Sequence, residues 1–256
     1  MKKILFFDVD GTLYNSNKQL PSTAKEALFK ARENGYEIAI ATGRAPFMIA
    51  DLLEELQIDS YVTFNGQYVV YKGKVIYTNQ IANDLLADIL QFGAERNHPF
   101  VFLNEREMIA TKEGSCEIEE SLATLHYPYP EINADYYLQT PVYQTLLFAN
   151  THEQATYEHQ FPGVEFVRWH PYSCDMLPKG GSKAVGIQKL VDHIGIDMSE
   201  VIAFGDGLND VEMLREVGFG VAMGNGHEEA KESASIVAGH VDEDGLFRVM
   251  KQLKII

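Results

Sequence analysis

Two aspartates separated by one residue, Asp8 and Asp10, directly follow the apolar run of residues 4–7. An apolar strand that ends in two carboxylates is costly unless a cation neutralises their charge. Because the chain can bend at Gly11, both carboxylates can approach one site. A hard divalent cation such as Mg²⁺, which takes oxygen ligands, would suit them. The alternative is that the pair caps the next helix, where carboxylates are also favourable.

Residues that suit an anion occur at two other places. Thr42 and Gly43 follow the predicted strand 36–41 and offer a hydroxyl group and backbone N–H groups. Gly43 lets the backbone approach an anion closely, and the N-terminus of a following helix favours negative charge. Lys183 begins a later apolar-periodic helix and is the most obvious positive charge for such a site. Taken singly, these residues are more simply explained as a strand-to-helix turn and a solvated lysine.

A second pair of carboxylates, Asp206 and Asp210, follows the predicted strand 201–204. Asp206 lies at the strand end and can complete the metal site. Asp210 lies one helical turn later, where it can pair with Lys183 or support the metal. The alternative is that both acids only interact favourably with the dipole at the start of a helix. Because ligands of open α/β sheets bind at the carboxyl ends of the strands, the four groups together predict one site for a cation and a phosphate.

Strand and helix patterns alternate at both ends of the chain, which predicts the α/β class with a parallel sheet and right-handed crossovers. The predicted strands of this sheet are 4–7, 36–41, 61–64, 201–204 and 218–223. The segment 83–178 instead mixes shorter strands with helices, which predicts a second, α+β domain inserted into the first. We therefore expect a core domain of residues 1–82 and 179–256 and an inserted domain of residues 83–178.

The composition excludes several classes of partner. The 256 residues include 21 Lys+Arg and 37 Asp+Glu, a formal net charge of −16, which argues against nucleic acid and against an anionic membrane surface. No apolar run reaches the roughly 20 residues that a membrane span needs. Residues 1–7 predict a buried strand rather than a secretory signal, so a cytoplasmic protein is expected by default. The composition does not determine an oligomeric state.

Four motifs, in this order and spacing, resemble those of the haloacid dehalogenase superfamily, specifically its Cof-like phosphatases with a large α/β cap. The motifs are Asp8-Val9-Asp10-Gly11-Thr12, Thr42-Gly43-Arg44, Lys183, and the segment from Gly205 to Asp210. The resemblance covers essentially the whole chain, with the long insertion between the second and third motifs. It implies a Rossmann-like core that carries the chemistry and an inserted cap domain that selects the substrate.

The resemblance also implies a role for each matching residue. Asp8 would be the nucleophile that forms an aspartyl-phosphate, and Asp10 the general acid and base. Mg²⁺ would be held by the Asp8 carboxylate, the Asp10 backbone carbonyl and Asp206, with Asp210 in support. The expected phosphate-binding residues are Val9, Thr42, Gly43, Lys183 and Asn209. The candidate substrate contacts are Arg44, Asn65 and His170, although Arg44 can instead pair with an acid. The Gly224-Asn225 turn is expected to line the periphery of the phosphate site.

The predicted function is Mg²⁺-dependent hydrolysis of a small phosphomonoester, either a sugar phosphate or a nucleotide-derived one. Asp10 favours phosphate chemistry, because the dehalogenase members of the superfamily lack this second aspartate. Two alternatives are a phosphotransferase or mutase on the same scaffold and a protein that binds a phosphometabolite with little turnover. The chain departs from its relatives at Asp175-Met176, where they often carry Glu-Ile, and at Gln144, near which many carry a lysine.

Overall fold

The computed structural model describes residues 4–256 and divides them into two compact units. Residues 1–3, the start of the predicted strand 1–7, lie outside the described residues. The core unit contains the chain up to Arg44 together with Met48–Tyr77 and Ser182–Ile256, and the inserted unit contains Ala45–Phe47 and Thr78–Gly181. The inserted unit is a few residues wider at each end than the predicted 83–178. One reason is Ile81, which packs in its hydrophobic core and donates its N–H to the Val142 carbonyl at 2.9 Å.

The described residues form fourteen strands and nine α-helices. The strands are β1 (Ile4–Phe7), β2 (Glu37–Ala41), β3 (Tyr61–Thr63), β4 (Tyr68–Tyr71), β5 (Lys74–Thr78), β6 (Phe100–Leu103), β7 (Met108–Ala110), β8 (Glu131–Ile132), β9 (Gln144–Phe148), β10 (Val164–His170), β11 (Ser173–Pro178), β12 (Val201–Gly205), β13 (Phe219–Ala222) and β14 (Ile236–Val237). The helices are α1 (Ser22–Glu33), α2 (Ala50–Leu56), α3 (Asn83–Ala94), α4 (Cys116–Thr124), α5 (Thr151–Gln160), α6 (Lys183–Ile194), α7 (Val211–Glu216), α8 (Glu228–Ser233) and α9 (Gly245–Gln252).

The core unit is built on one eight-stranded sheet in the order β14-β13-β12-β1-β2-β3-β4-β5. The strands from β14 to β3 pair in parallel, and β4 reverses direction against β3. Every residue of β1 is buried, as expected for a strand that helices cover on both faces. Phe7 of β1 stacks on Phe204 of β12 with ring centroids 4.6 Å apart. This register brings the carboxyl ends of β1, β2 and β12 to one edge, and the α/β class predicted from the sequence is confirmed.

The inserted unit is built on a six-stranded sheet in the order β10-β11-β9-β6-β7-β8. Its pairs are antiparallel except for β7 with β8. One face packs on α3 and α5, whose Leu86, Ile89 and Tyr157 join a single hydrophobic cluster with Phe100 and Phe102 of β6. The inserted unit therefore has a hydrophobic core of its own.

Three local features of the structure were not predicted from the sequence. After β12 the chain forms a short 3-10 turn, Leu208–Asp210, and becomes α-helical only over α7. The sequence patterns did not predict strand β11 or helix α9. Among residues 4–256, no helix has the length and apolar character that crossing a membrane would require.

Candidate active site

Asp8 is the first residue after β1, and the loop that follows turns back on itself. The Asp8 N–H donates to the Phe204 carbonyl at 2.9 Å, which extends the β1–β12 pairing by one residue. The Val9 carbonyl accepts the N–H groups of Leu13 and Tyr14 at 3.0 and 2.7 Å. The Asp8 side chain is consequently held at the sheet edge, where Asp8 is only 6 % exposed.

The Lys183 ammonium lies between two carboxylates. Its Nζ donates to Asp8 Oδ1 at 2.5 Å and to Asp210 Oδ1 at 2.6 Å, and the residue is fully buried. Lys183 is the first residue of α6, whose N-cap Ser182 accepts the Val185 N–H at 3.2 Å. The helix start therefore fixes where the ammonium group lies.

Burial and mutual charge shift the pKa values of this group in opposing ways. Burial lowers the pKa of Lys183, but Asp210 and Asp8 outweigh it and raise that pKa above the usual lysine range. Burial raises the pKa of Asp8 well above its ordinary value, Lys183 lowers it, and Asp210 and Asp206 raise it further. Burial and the Asp210 charge raise the pKa of Asp206 to about 6. Burial is the largest cause for each of the three groups, and the Lys183 charge is the largest effect that opposes it at Asp8.

Asp210 has both carboxylate oxygens engaged by the protein. Oδ1 accepts from Lys183, and Oδ2 accepts the backbone N–H groups of Asp206 and Gly207 at 2.9 and 2.8 Å. Gly205 lacks a Cβ where one would lie 2.6 Å from the Asp210 carboxyl carbon. Of the two roles considered for Asp210, the structure shows the pairing with Lys183.

Asp206 is oriented by two residues outside its own loop. The Thr12 hydroxyl donates to Asp206 Oδ1 at 2.9 Å, and Asn225 Nδ2 lies 3.4 Å from Oδ2. Asn225 also donates to the Gly11 carbonyl at 2.8 Å. Gly11 has a φ of +79°, and a Cβ there would collide with the Asp206 carboxylate. The loops after β1 and β12 therefore interlock.

The donor set at this edge fits a hard divalent cation. Oxygen atoms of Asp8, Asp206 and Asp210 lie within 4.8 Å of one another. Three carboxylates face one ammonium, so the buried group has an excess of negative charge that a cation would neutralise. Because Asp210 is fully engaged, Asp8 and Asp206 are the carboxylates that remain for a metal.

A second group of polar residues follows β2 and β3. Thr42 is buried, and its hydroxyl accepts the Arg44 N–H at 3.2 Å. Asn65, with a φ of 50°, donates its N–H to the Thr42 carbonyl at 3.1 Å. Asn209 Nδ2 donates to Asn65 Oδ1 at 3.0 Å, and a Cβ at Gly43 would lie 3.0 Å from the Asn65 amide nitrogen. The predicted phosphate-binding residues Thr42, Gly43 and Asn209 are thus linked through Asn65.

Asp10 and Arg44 form a bidentate ion pair. Arg44 Nε donates to Asp10 Oδ2 at 2.7 Å and Nη2 donates to Oδ1 at 2.6 Å. Asp10 is exposed, whereas Asp8 is buried. Of the two roles expected for Arg44, the structure shows pairing with an acid, and that acid is the predicted general acid and base.

His170 belongs to the inserted unit, at the end of β10. Its Nδ1 lies 2.9 Å from the Ser121 hydroxyl and accepts the Tyr172 N–H at 3.3 Å. An Nδ1 that accepts a backbone N–H carries no proton in the neutral ring, so the Ser121 hydroxyl is the donor. His170 is therefore anchored within its own unit.

Thr12 and Asn65 make hydrogen bonds in the site that were not predicted from the sequence. Thr12 follows the two aspartates closely, so its hydroxyl group could have been predicted to donate a hydrogen bond to a carboxylate of the site. For Asn65, the Asn-Gly dipeptide signalled the turn. Its link to Asn209, 144 residues away, has no local signature.

Comparison with known proteins shows which family the chain belongs to. The family of haloacid dehalogenase-like hydrolases matches residues 5–250. A Bacillus subtilis (strain 168) protein named "Putative phosphatase YkrA" is 40 % identical over 254 residues, which are 99 % of this chain and 98 % of that protein.

Two solved structures are similar over their whole length. A protein of Geobacillus kaustophilus HTA426 with 44 % identity has a TM-score of 0.97, and each chain is covered completely. The sugar phosphatase BT4131, of subclass IIB of the superfamily, has 33 % identity and a TM-score of 0.85, again with both chains covered completely. With three motifs at the strand ends of the core sheet, Lys183 bonded to two of them, and a family match that spans nearly the whole sequence, the chain belongs to the haloacid dehalogenase-like hydrolases.

Proposed function

We propose that this protein is a Mg²⁺-dependent phosphatase that hydrolyses small phosphomonoesters, with Asp8 as nucleophile and Asp10 as general acid and base. The observation that carries the proposal is the buried Asp8 carboxylate, which is bonded to Lys183 at 2.5 Å beside Asp206. A site that only bound phosphate would gain nothing from a carboxylate at its centre, because the two anions repel. A carboxylate there is useful when it reacts with the phosphorus.

The first step transfers the phosphoryl group to the enzyme. An Asp8 oxygen forms a bond to phosphorus while the bond from phosphorus to the ester oxygen breaks. For this step Asp10 leaves its ion pair with Arg44 and takes up a proton, which it gives to the departing oxygen. Lys183 holds the Asp8 carboxylate in place and offsets charge on the phosphoryl oxygens. We assign Thr42, Gly43 and Asn209, with the Val9 amide, to the remaining phosphoryl contacts.

The second step restores the enzyme. A water molecule attacks phosphorus, Asp10 takes a proton from it, and the bond between Asp8 and phosphorus breaks to release inorganic phosphate. Mg²⁺, held by Asp8, Asp206 and the Asp10 backbone carbonyl, would offset the negative charge that builds up between carboxylate and phosphate. We also propose that the inserted unit selects the leaving group of the ester.

The test is release of phosphate from p-nitrophenyl phosphate by the wild type, with Mg²⁺ and with a chelator, and by Asp8→Asn. We expect release that requires the metal and falls by at least about 10³-fold in the variant, because the nucleophile is lost. Glu54→Gln, which changes an exposed carboxylate on α2, is the matched control and should retain the wild-type rate.

Two outcomes would contradict the proposal. Undiminished turnover by folded Asp8→Asn would exclude Asp8 as nucleophile. Tight binding of phosphomonoesters by the wild type without any phosphate release, across aryl, sugar and nucleoside phosphates, would instead indicate a binding protein.

A further inference from the structure

The ion pair between Asp10 and Arg44 has a well-defined geometry although it lies near the surface. The Asp10 side chain is 48 % exposed and the Arg44 side chain 24 %, yet both guanidinium bonds are short, at 2.7 and 2.6 Å. Exposed ion pairs between flexible side chains contribute little, because holding two side chains in one geometry costs entropy. A third group that restricts one of the two side chains lowers that cost.

The Tyr14 ring is such a group. The central carbon of the Arg44 guanidinium lies over this ring, 5.8 Å from its centroid, which is within the range of a cation–π attraction. The Arg44 backbone is fixed as well, since its N–H donates to the Thr42 hydroxyl at 3.2 Å and its carbonyl accepts the Phe64 N–H at 3.1 Å. The guanidinium is therefore held between an aromatic ring and the Asp10 carboxylate.

The loop that carries Asp10 also carries this ring. The Tyr14 N–H donates to the Val9 carbonyl at 2.7 Å, and the Tyr14 carbonyl accepts the Gly11 N–H at 3.0 Å. Tyr14 and Asp10 form an isolated β-bridge, and the Tyr14 side chain packs, partly buried, against a hydrophobic cluster of the core unit. The backbone and the packing thus both fix the position of the ring.

The hydroxyl group of Tyr14 carries no charge that could pair with Arg44. Burial is the largest cause that raises the pKa of this hydroxyl group. Arg44 lowers that pKa, and the Asp10, Glu55 and Asp51 carboxylates raise it further. The hydroxyl group therefore stays protonated at neutral pH. Arg44 accordingly meets a neutral aromatic face, which a phenylalanine ring would also provide.

We propose that Tyr14 is a positioning residue for the second step of turnover: its ring holds Arg44, and Arg44 holds the Asp10 carboxylate where the attacking water arrives. The inference rests on the proposed function, in which Asp10 takes a proton from that water. Tyr14 acts only through Arg44 and Asp10 and touches neither the water nor the phosphoryl group.

In this step the water oxygen forms a bond to phosphorus, one of its protons goes to Asp10, and the bond between phosphorus and the Asp8 oxygen breaks. Asp10 enters the step as a carboxylate, because it has given its proton to the departing oxygen in the first step. A carboxylate oxygen has two acceptor positions, so Asp10 can accept from water while it stays bonded to Arg44. Without the Tyr14 ring this arrangement is less populated, and hydrolysis of the aspartyl-phosphate slows.

The test separates the two steps with 2,4-dinitrophenyl phosphate, whose leaving group departs without a proton. Formation of the aspartyl-phosphate then does not depend on Asp10. The ratio kcat/KM reports that first step alone, whereas kcat also includes the hydrolysis. We expect Tyr14→Leu to lower kcat about fivefold, the effect of one cation–π contact, and to leave kcat/KM unchanged, so that KM falls together with kcat. In a rapid-quench experiment with radiolabelled ester, protein-bound phosphate should decay about fivefold more slowly in the variant.

Three comparisons distinguish positioning from a structural effect. Tyr14→Phe keeps the ring and should restore the wild-type rate of hydrolysis. Tyr36→Leu removes a tyrosine that is also partly buried against the same hydrophobic cluster but lies just before β2, at the amino end of that strand, and it should keep the wild-type kcat and kcat/KM. In the Asp10→Asn background, Tyr14→Leu should cause no further loss, because the group that it positions is already gone.

The proposal would be overturned by a loss of the same factor in kcat and kcat/KM of Tyr14→Leu, which is the result of a structural defect. It would be overturned equally by an unchanged kcat with wild-type decay of the label, or by a loss in Tyr14→Phe as large as that in Tyr14→Leu. Failure of the phosphatase function looks different, because the wild type would then release no phosphate or would release it without Asp8.

Discussion

Lys183 has two tasks at the level of the single residue. Its ammonium bonds the predicted nucleophile Asp8 and also Asp210, which in turn accepts two backbone N–H groups of the loop after β12. Removing one partner of a buried ion pair leaves an uncompensated charge, and this penalty exceeds the net contribution of the pair itself. Lys183 is therefore expected to matter for stability as well as for catalysis.

We predict that Lys183→Met lowers the free energy of unfolding by about 3–5 kcal/mol, because Asp8 and Asp210 lose their buried counter-charge. The measurement is chemical denaturation of the protein without divalent metal. The double variant Lys183→Met with Asp210→Asn should recover part of that loss, since the amide oxygen can still accept the two N–H groups and no charge remains at that position. Additive losses in the double-mutant cycle would show that Lys183 and Asp210 are not coupled.

At the level of elements, the site depends on how helix α6 begins. Gly66 lies in the turn Phe64–Gly66 after β3, with a φ of +98°, and a Cβ there would collide with the Ser182 carbonyl at the start of α6. Gly186, one turn into the helix, faces Gly66 and Val62 in the same way. The absence of side chains at these two positions lets α6 approach the sheet closely enough to bury Lys183.

We predict that Gly66→Ala lowers both stability and phosphatase activity, because α6 must move and Lys183 begins that helix. Gly73→Ala is the matched control: Gly73 also has a positive φ, of 71°, but has no atom within 4 Å of a Cβ. Both variants share the backbone strain, so the collision should make Gly66→Ala less stable than Gly73→Ala by about 1–3 kcal/mol in urea denaturation. Equal losses in the two variants would show that the close approach of α6 is unimportant.

At the level of the whole molecule, the net charge of −16 makes the response to a divalent cation ambiguous. Any salt screens the repulsion among the surface carboxylates and so stabilises an acidic protein. A cation bound by Asp8 and Asp206 would add a specific effect, because it binds the folded state only. The two effects can be separated by comparing salts at equal ionic strength.

We predict that Mg²⁺ raises Tm beyond the effect of NaCl at the same ionic strength, by about 5–10 °C at a hundred times its Kd. Asp206→Asn should lose this excess and keep the response to NaCl, as seen by differential scanning calorimetry. An excess that persists in Asp206→Asn would place the bound cation elsewhere.

The sequence by itself determined the α/β class and the residues that meet at the sheet edge. The apolar runs at 4–7 and 201–204 predicted two parallel strands. The polar residues that follow each run were therefore expected to meet at one edge of the sheet, where the carboxyl ends of both strands lie. Strand β11 was not predicted because Ser173 and Asp175 break its apolar pattern, and α9 was not predicted because it is a short helix without a side-chain cap.

Only the tertiary structure decided how the polar residues pair. Lys183 lies 175 residues from Asp8 and 27 from Asp210, and it bonds both. Arg44 bonds Asp10, which is one of the two roles that the sequence left open for it, and Asn209 donates to Asn65. The physical reason is that local patterns report whether a segment is a strand or a helix and which face is buried. The choice of hydrogen-bond partner depends instead on distances of a few ångströms between segments far apart in the chain, and packing sets those distances.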